Sequence, residues 1–292
     1  MTREVCLIVN PAAAGGRGGR RIPAVESALR DRRIPFRTER TTSLEHAAEL
    51  AAEATARGEI SAAMGGDGII GRVAAALVGT DGLLGVIPGG RGNDFARVLG
   101  IPSDPAGAVA VIADGRFRHV DLGEVGTTHF IGIASAGFDS DANRIANQSR
   151  IKGRLVYAYA ALRALAAWKP ARFTLTLDGE RREFTGYSVA AANSKAYGGG
   201  MYIAPDAELD DGLLDVVVTE WVSKRRFVSQ LPQVFKGAHV SNPEVHVFRA
   251  REVTIEADRP FALYADGDPI ADLPATVRVL PRAVAVLAPS VP

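Results

Sequence analysis

The sequence predicts an α/β domain, with a parallel sheet and flanking helices, followed by a β-rich antiparallel sandwich. Three observations lead there: strand and helix patterns alternate through the first third, short β-rich stretches dominate from about Val120, and glycines gather at strand ends. Alternation of this kind implies parallel pairing with right-handed crossovers. The domains are expected at residues 1–122 and 123–280, with residues 281–292 available to return to the first.

Val5 to Val9 is an apolar run that stops at Asn10-Pro11, as a buried parallel strand would. Arg21 to Arg32 reads as a helix, with Ile22, Val25 and Leu29 at helical spacing. Phe36 to Thr38 is the second strand. Ser43 is the expected N-cap of a helix that stops at Gly58. Ile60 to Met64 forms a third strand, a helix runs through Val73 to Leu77, and Leu83 to Ile87 forms a fourth strand. Beyond Val120 the stretches 129–138, 172–177, 182–193, 213–221, 245–257, 261–266 and 275–281 read as strands. Asp178-Gly179 and Asp211-Gly212 are turn signals among them. Helices are expected at 152–169 and 224–235, and a last strand at Ala283 to Leu287.

Hydrophobic residues make up 47% and charged residues 23% of the 292, enough to bury a core and unlike a disordered chain. The 34 basic and 33 acidic side chains leave a net +1, which argues against a nucleic-acid partner. Cys6 stands alone in an apolar strand, so it offers no disulfide and reads as an inert buried thiol. The N-terminus lacks a secretion-signal pattern, and no apolar run approaches the ~18 residues of a membrane span. A cytoplasmic protein is the expectation.

Glycine is in excess, at 31 of 292 residues against a usual ~7%. Three clusters follow parallel strands, and ligands on such sheets bind at the carboxyl ends of strands. Gly65, Gly66, Asp67 and Gly68 lie between a strand and a helix. Glycines let backbone amides approach phosphate, and a cation between phosphate and Asp67 would reconcile their charges; a tight turn with a capping aspartate is the other reading. Gly89, Gly90 and Gly92 surround Arg91, and Asn93-Asp94 then begins a helix. Arg91 can pair with phosphate, and Asp94 can cap the helix or bind a metal. The glycines after Pro11 carry little information by themselves.

Taken together, NP…GG, GGDG, PGGRGNDFAR, YGGGMYIAPDAELDDGLLDVVV and DGDP, in that order, resemble the bacterial diacylglycerol kinase-like lipid kinases. The resemblance implies phosphoryl transfer from ATP to a lipid alcohol, in a cleft between the two domains. It implies nucleotide contacts from Asn10, Pro11, Ala12, Ala13, Ala14 and Thr41. Gly65, Gly66, Asp67, Gly68, Ile69, Ile70, Gly71 and Arg72 would cradle phosphates, joined by Gly90, Arg91, Gly92 and Asn93. Asp67 and Asp94 would hold catalytic Mg²⁺. Phosphoryl transfer depends chiefly on positioning and charge neutralisation, which such loops supply. The family's general base is the glutamate of a DGE motif; here Asp268 takes its place, one methylene shorter. Asp-Gly also signals a hairpin turn. The resemblance further implies a structural Mg²⁺ on the Asp211 side chain and the carbonyls of Glu208 and Leu213; a plain acidic turn is the other reading.

Two departures stand out. The family's GGDGT-x-N-E becomes Gly65-Gly66-Asp67-Gly68-Ile69-Ile70-Gly71-Arg72, and Arg91 replaces the threonine of GTGND. Either Arg72 and Arg91 replace the lost phosphate contacts, which is the expectation, or the nucleotide site is weakened or altered. The rival expectations are an NAD kinase-like enzyme, which shares GGDG, and a non-catalytic nucleotide- or lipid-binding regulator. Trp168 beside Lys169, and Trp221 near Lys224-Arg225-Arg226, read either as a face for transient peripheral membrane contact or as ordinary packing.

Overall fold

The computed structural model describes residues 3–11, 17–149 and 155–290. In the first part β1 (Val5–Val9), α1 (Arg17–Asp31), β2 (Phe36–Arg40), α2 (Leu44–Ala56), β3 (Ile60–Gly65), α3 (Asp67–Ala76) and β4 (Leu83–Pro88) alternate. Strands β4, β3, β1 and β2 lie side by side in that order, all parallel. Every β1 side chain is fully buried, and each such apolar residue contributes about 1.5–3 kcal/mol on leaving water. Burial pushes the Cys6 thiol up to about 11, so it stays protonated and unreactive. Ser43 caps α2 by accepting from the amide of His46.

Helix α3 starts at Asp67, six residues before the apolar run that signals it in the sequence. Two glycines of the cluster, Gly68 and Gly71, therefore lie inside a helix rather than in a loop. Next come α4 (Asp94–Val98) and α5 (Pro105–Asp114). Helix α5 is not among the expected elements, although its signals are local: Asp104 caps it, Pro105 opens it, and Gly115 ends it in the left-handed region at φ 66.

The second part contains β5 (Phe117–Val125), β6 (Thr128–Phe130), β7 (Ile133–Gly137), α6 (Phe138–Gln148), α7 (Leu155–Ala167), β8 (Ala171–Leu177) and β9 (Glu180–Ala192). It continues with β10 (Leu214–Glu220), α8 (Lys224–Val234), a 3₁₀ turn (Ala238–Ser241), β11 (Val245–Ala250), β12 (Glu252–Ala257), β13 (Ala262–Ala265), β14 (Asp268–Asp272) and β15 (Ala275–Leu287). These strands pair antiparallel. Helix α6 replaces the end of a stretch that reads as pure strand. Asp178-Gly179 and Asp266-Gly267 both hold positive φ at both residues, as tight hairpin turns require.

The two expected last strands, 275–281 and 283–287, form one strand, β15. It pairs antiparallel with β12 and β5, then parallel with β4 through Ala285 and Val286. Its register shifts between Leu280 and Val284, where Arg282 takes φ 51 and its amide donates 2.6 Å to Asp121. A second core fills the β-rich part around Phe138, Trp168, Phe173, Tyr187, Phe227 and Phe261. Trp168 is only 4% exposed and stacks with Tyr187, so it belongs to this core and not to a surface face. No helix among the described residues is long and apolar enough to cross a membrane.

Candidate functional site

The carboxyl ends of the four parallel strands carry most of the residues singled out above. Asn10 follows β1, and its amide donates 3.3 Å to Met64 at the end of β3. Thr41 follows β2 and is held by Val9, its amide 2.8 Å from the Val9 carbonyl. Pro11 is exposed beyond β1. Ala12, Ala13 and Ala14 lie outside the described residues.

The glycine loops after β3 and β4 press against each other. The Gly89 amide donates 2.7 Å to the Gly65 carbonyl. A Cβ on Gly90 would clash with the Gly66 Cα and stand 2.9 Å from its nitrogen. Glycine is required at this contact for space alone. Asn93 closes its own loop, accepting from Gly90 N at 2.8 Å and donating back to the Gly90 carbonyl at 3.2 Å. No side chain caps the start of α3, whose N-cap is Gly66. Its first-turn amides and helix dipole therefore face the ligand end of the sheet.

Asp67 opens α3 and Asp94 opens α4, and the contact between the loops brings both to Gly92. A Cβ there would lie 3.0 Å from Asp94 Oδ2 and 3.2 Å from Asp67 Oδ2. The amide of Phe95 donates to Asp67 Oδ1 at 3.0 Å. Burial pushes the Asp67 carboxyl above its ordinary range and the charge of Asp94 adds to this, against the amides of Phe95 and Asp94. Asp94 is 5% exposed, pairs with Arg97, and accepts the Gly199 amide on Oδ2 at 2.7 Å. Two converging carboxylates around a space that one carbon would fill suit a small hard cation such as Mg²⁺.

The Gly199 contact comes from the β-rich domain. Gly198, Gly199 and Gly200 hold φ of 65, 85 and 107, tied at the base by reciprocal bonds between Tyr197 and Met201. The Tyr197 phenol and the Ser188 hydroxyl bond the Asp139 carboxyl at the start of α6. Burial pushes Asp139 up to about 6 and Tyr197 well above its ordinary range. The glycines stand out in the sequence, but no local pattern there gives a role to Gly199, Tyr197 or Asp139.

Asp268 is exposed at the start of β14. Asp266, two residues earlier, is the carboxylate held in place. It accepts the Ile131 amide at 2.9 Å, with Gly132 and Ile133 amides adding to the bond. Gly71 of α3 faces it across the domains, a Cβ there standing 3.5 Å from Asp266 Oδ2. Burial pushes Asp266 up to about 7, and the charge of Asp67 acts in the same direction against the three amides.

Arg72 pairs with Glu45 of α2 at 3.6 Å, and Arg91 is exposed at the loop tip. Ile69 and Ile70 turn into the core, each 3% exposed or less, and contribute backbone only.

Glu208, Asp211 and Leu213 form a separate loop docked on β5. The Asp121 amide donates to the Leu209 carbonyl at 2.6 Å, and Gly212 donates to Asp121 Oδ2 at 2.7 Å. Asp211 accepts from Leu213 N at 3.0 Å and pairs with Arg249. Asp215 lies beside this loop, 3% exposed, with one buried oxygen lacking a hydrogen bond and 4.0 Å from Arg249. Burial, then Asp206 and Glu208, push Asp215 up to about 6. A buried carboxylate oxygen without a hydrogen bond, beside other oxygen donors, fits a hard cation, with Arg249 competing for the same charge.

Residues 4–125 match the diacylglycerol kinase catalytic domain, and residues 132–288 match the YegS C-terminal NAD kinase beta sandwich-like domain. The chain belongs to the bacterial diacylglycerol kinase and YegS-like lipid kinase family. Among relatives of this lipid kinase, a diacylglycerol kinase of Mycobacterium tuberculosis (strain H37Rv) is 35% identical across 98% of this chain and 95% of its own. One from Bacillus subtilis (strain 168) is 31% identical across 86% of this chain and 85% of its own. A crystal structure of a diacylglycerol kinase from Bacillus anthracis str. Sterne shares the fold at TM-score 0.76 and 20% identity, over 99% of this chain and 97% of that one.

Proposed function

We propose that this lipid kinase transfers the γ-phosphate of ATP to a lipid hydroxyl, with Mg²⁺, and that diacylglycerol is the acceptor and phosphatidic acid the product. The observation that carries the reading is the convergence of Asp67 and Asp94 on Gly92, at the junction of two glycine loops and an uncapped helix start. When bound, ATP supplies the phosphoryl group and Mg²⁺ neutralises charge on its oxygens. Asp67 and Asp94 are the residues that would hold the cation, and the residues from Asn10 to Ala14 with Thr41 would seat the nucleotide. The backbone from Gly65 to Arg72 and from Gly90 to Asn93 presents donors to phosphate. Gly199 fixes the orientation of Asp94 from the other domain.

Asp268 is the proton acceptor for the lipid hydroxyl, exposed where a substrate can reach it. Asp266 holds the turn that aims Asp268, through the amides of residues 131–133. The Glu208, Asp211 and Leu213 loop binds a structural Mg²⁺, supported by the buried Asp215 carboxylate beside it, whose Oδ2 has no hydrogen bond and only Arg249 at 4.0 Å. The enzyme works in the cytoplasm and meets its lipid by transient contact at the membrane surface.

Measuring ATP consumption against a panel of lipid alcohols and NAD tests the reading. Turnover with diacylglycerol is expected. Transfer to NAD alone would overturn it, and nucleotide binding without any turnover would favour the regulator.

A further inference from the structure

Eight large hydrophobic side chains are exposed among the described residues, and six of them are Tyr159, Leu162, Trp221, Val228, Leu231 and Phe235. All six lie on α7, on α8 or on the residues that flank α8. The two helices meet end to end, where Lys224 donates 2.9 Å to the Ala166 carbonyl. Val228, Leu231 and Phe235 are spaced three and four residues apart, which sets them in one stripe along α8 and just past its end. Phe227, at the edge of the stripe, is 8% exposed and stacked on Tyr187 at 4.0 Å, so it anchors α8 and leaves Val228, Leu231 and Phe235 outward.

Charge identifies what covers this face. Neither α7 nor α8 contains an aspartate or glutamate, while the two helices and the residues that flank them carry Arg163, Lys169, Lys224, Arg225 and Lys236. Arg226 is committed to Glu244 at 2.9 Å; Arg225 is exposed. An apolar stripe with aromatic and cationic neighbours is the chemistry of a helix that lies in a lipid interface, with its cations on anionic headgroups.

The stripe also leads to the site. At the end of α8 the Val234 carbonyl accepts the Tyr202 amide at 2.9 Å. Tyr202 directly follows the glycine hairpin whose Gly199 amide holds Asp94. A bilayer on α8 therefore lies one short hairpin away from the paired carboxylates.

We infer that the exposed face of α7 and α8 docks the enzyme on an anionic bilayer, with Leu162, Leu231 and Phe235 inserted. The inference rests on the lipid-kinase reading for what is delivered, but the docking itself is measured without turnover. The test is cosedimentation of the full chain, without ATP, with vesicles of phosphatidylcholine alone or mixed with phosphatidylglycerol. Wild type is expected on the mixed vesicles. Leu162→Glu, Leu231→Glu and Phe235→Glu should each weaken that binding about tenfold or more, as the loss of one inserted apolar side chain implies. Arg225→Ser should reduce binding to the mixed vesicles only. Phe117→Glu, which changes an equally exposed hydrophobic on β5, should bind like wild type. If a glutamate variant unfolds, Leu231→Ser and Phe235→Ser make the same comparison.

Unchanged binding by these variants, or wild type that ignores both vesicles, would overturn the inference. So would a wild-type dimer that the variants dissociate, because a second copy would then be the occupant. On a short-chain lipid alcohol held in monomeric solution the variants should keep wild-type turnover. Loss there at unchanged melting temperature would place these side chains in the cleft and overturn the docking reading. Vesicle binding by a wild type that phosphorylates no lipid alcohol would support docking while refuting the kinase proposal.

Discussion

Gly92→Ala tests the cation site with the smallest available perturbation. The added methyl would stand 3.0 Å from Asp94 Oδ2 and 3.2 Å from Asp67 Oδ2. Mg²⁺ needs its oxygens at about 2.0–2.1 Å and tolerates little distortion of its octahedron, so a carbon held closer than ordinary contact to both carboxylates pushes them apart and takes the room that the ion or its water requires. The backbone does not object: Gly92 is absent from the residues with positive φ, and the fold should change by less than about 1 kcal/mol. Losing about 3 kcal/mol of charge stabilisation in the transition state corresponds to roughly a 10²-fold fall in turnover. The assay is a Mg²⁺ titration of ATP-dependent lipid phosphorylation, with a melting curve alongside. Expected are lower turnover and a higher Mg²⁺ half-saturation at a nearly unchanged melting temperature. Wild-type values of both kinetic quantities would refute the assignment of Asp67 and Asp94.

Four other outcomes are expected. Gly90→Ala forces its new carbon against the Gly66 backbone, and should cost about 1–3 kcal/mol of stability, visible as a lower melting temperature. Asp268→Asn should leave ATP affinity intact and cut turnover roughly 10²–10⁴-fold; unchanged turnover would return the residue to a turn role. Asp266, held up at about 7, gives stability that is complete below the ordinary carboxylate range and is lost as pH rises through about 7. The loss is at most about 4 kcal/mol, and Asp266→Asn should flatten it in urea melts across that range. Arg249 competes for the charge of Asp211 and Asp215, so Arg249→Met should let Mg²⁺ raise the melting temperature at lower concentration, whereas Asp211→Ala should abolish the Mg²⁺ effect.

Legibility in the sequence followed the range of the interactions. The parallel strands were readable because continuous apolar runs such as Val5 to Val9 bury both faces, and Ser43 was readable because a cap acts within three residues. Helix α6 was not, because Phe138 is apolar and follows a genuine strand; what bends the chain there is Ser140 bonding the Gly137 amide and carbonyl. The glycine loops announced a phosphate-type site, yet not that Gly66 and Gly90 exist partly for each other. That contact joins residues 24 apart in sequence. Asp266 escaped because its significance comes from Ile131 and Gly71, which no local pattern links to it. Trp168 and Trp221 look alike in sequence, each with basic neighbours, and only packing separates the buried ring from the exposed one.

Strand β15 ties the order of synthesis to the order of folding. Among the strands of the first part, β4 is the outermost beside the glycine loops, and it receives its neighbour from Ala285 and Val286, far later in the sequence. Until they emerge, β4 presents an open edge on a nascent chain, the situation that invites pairing with the wrong strand. Closing it spans some two hundred residues of sequence, a contact of high separation that slows folding. The parallel sheet behind both glycine loops is therefore begun by β1 and bordered only by a strand that follows the whole β-rich part in sequence.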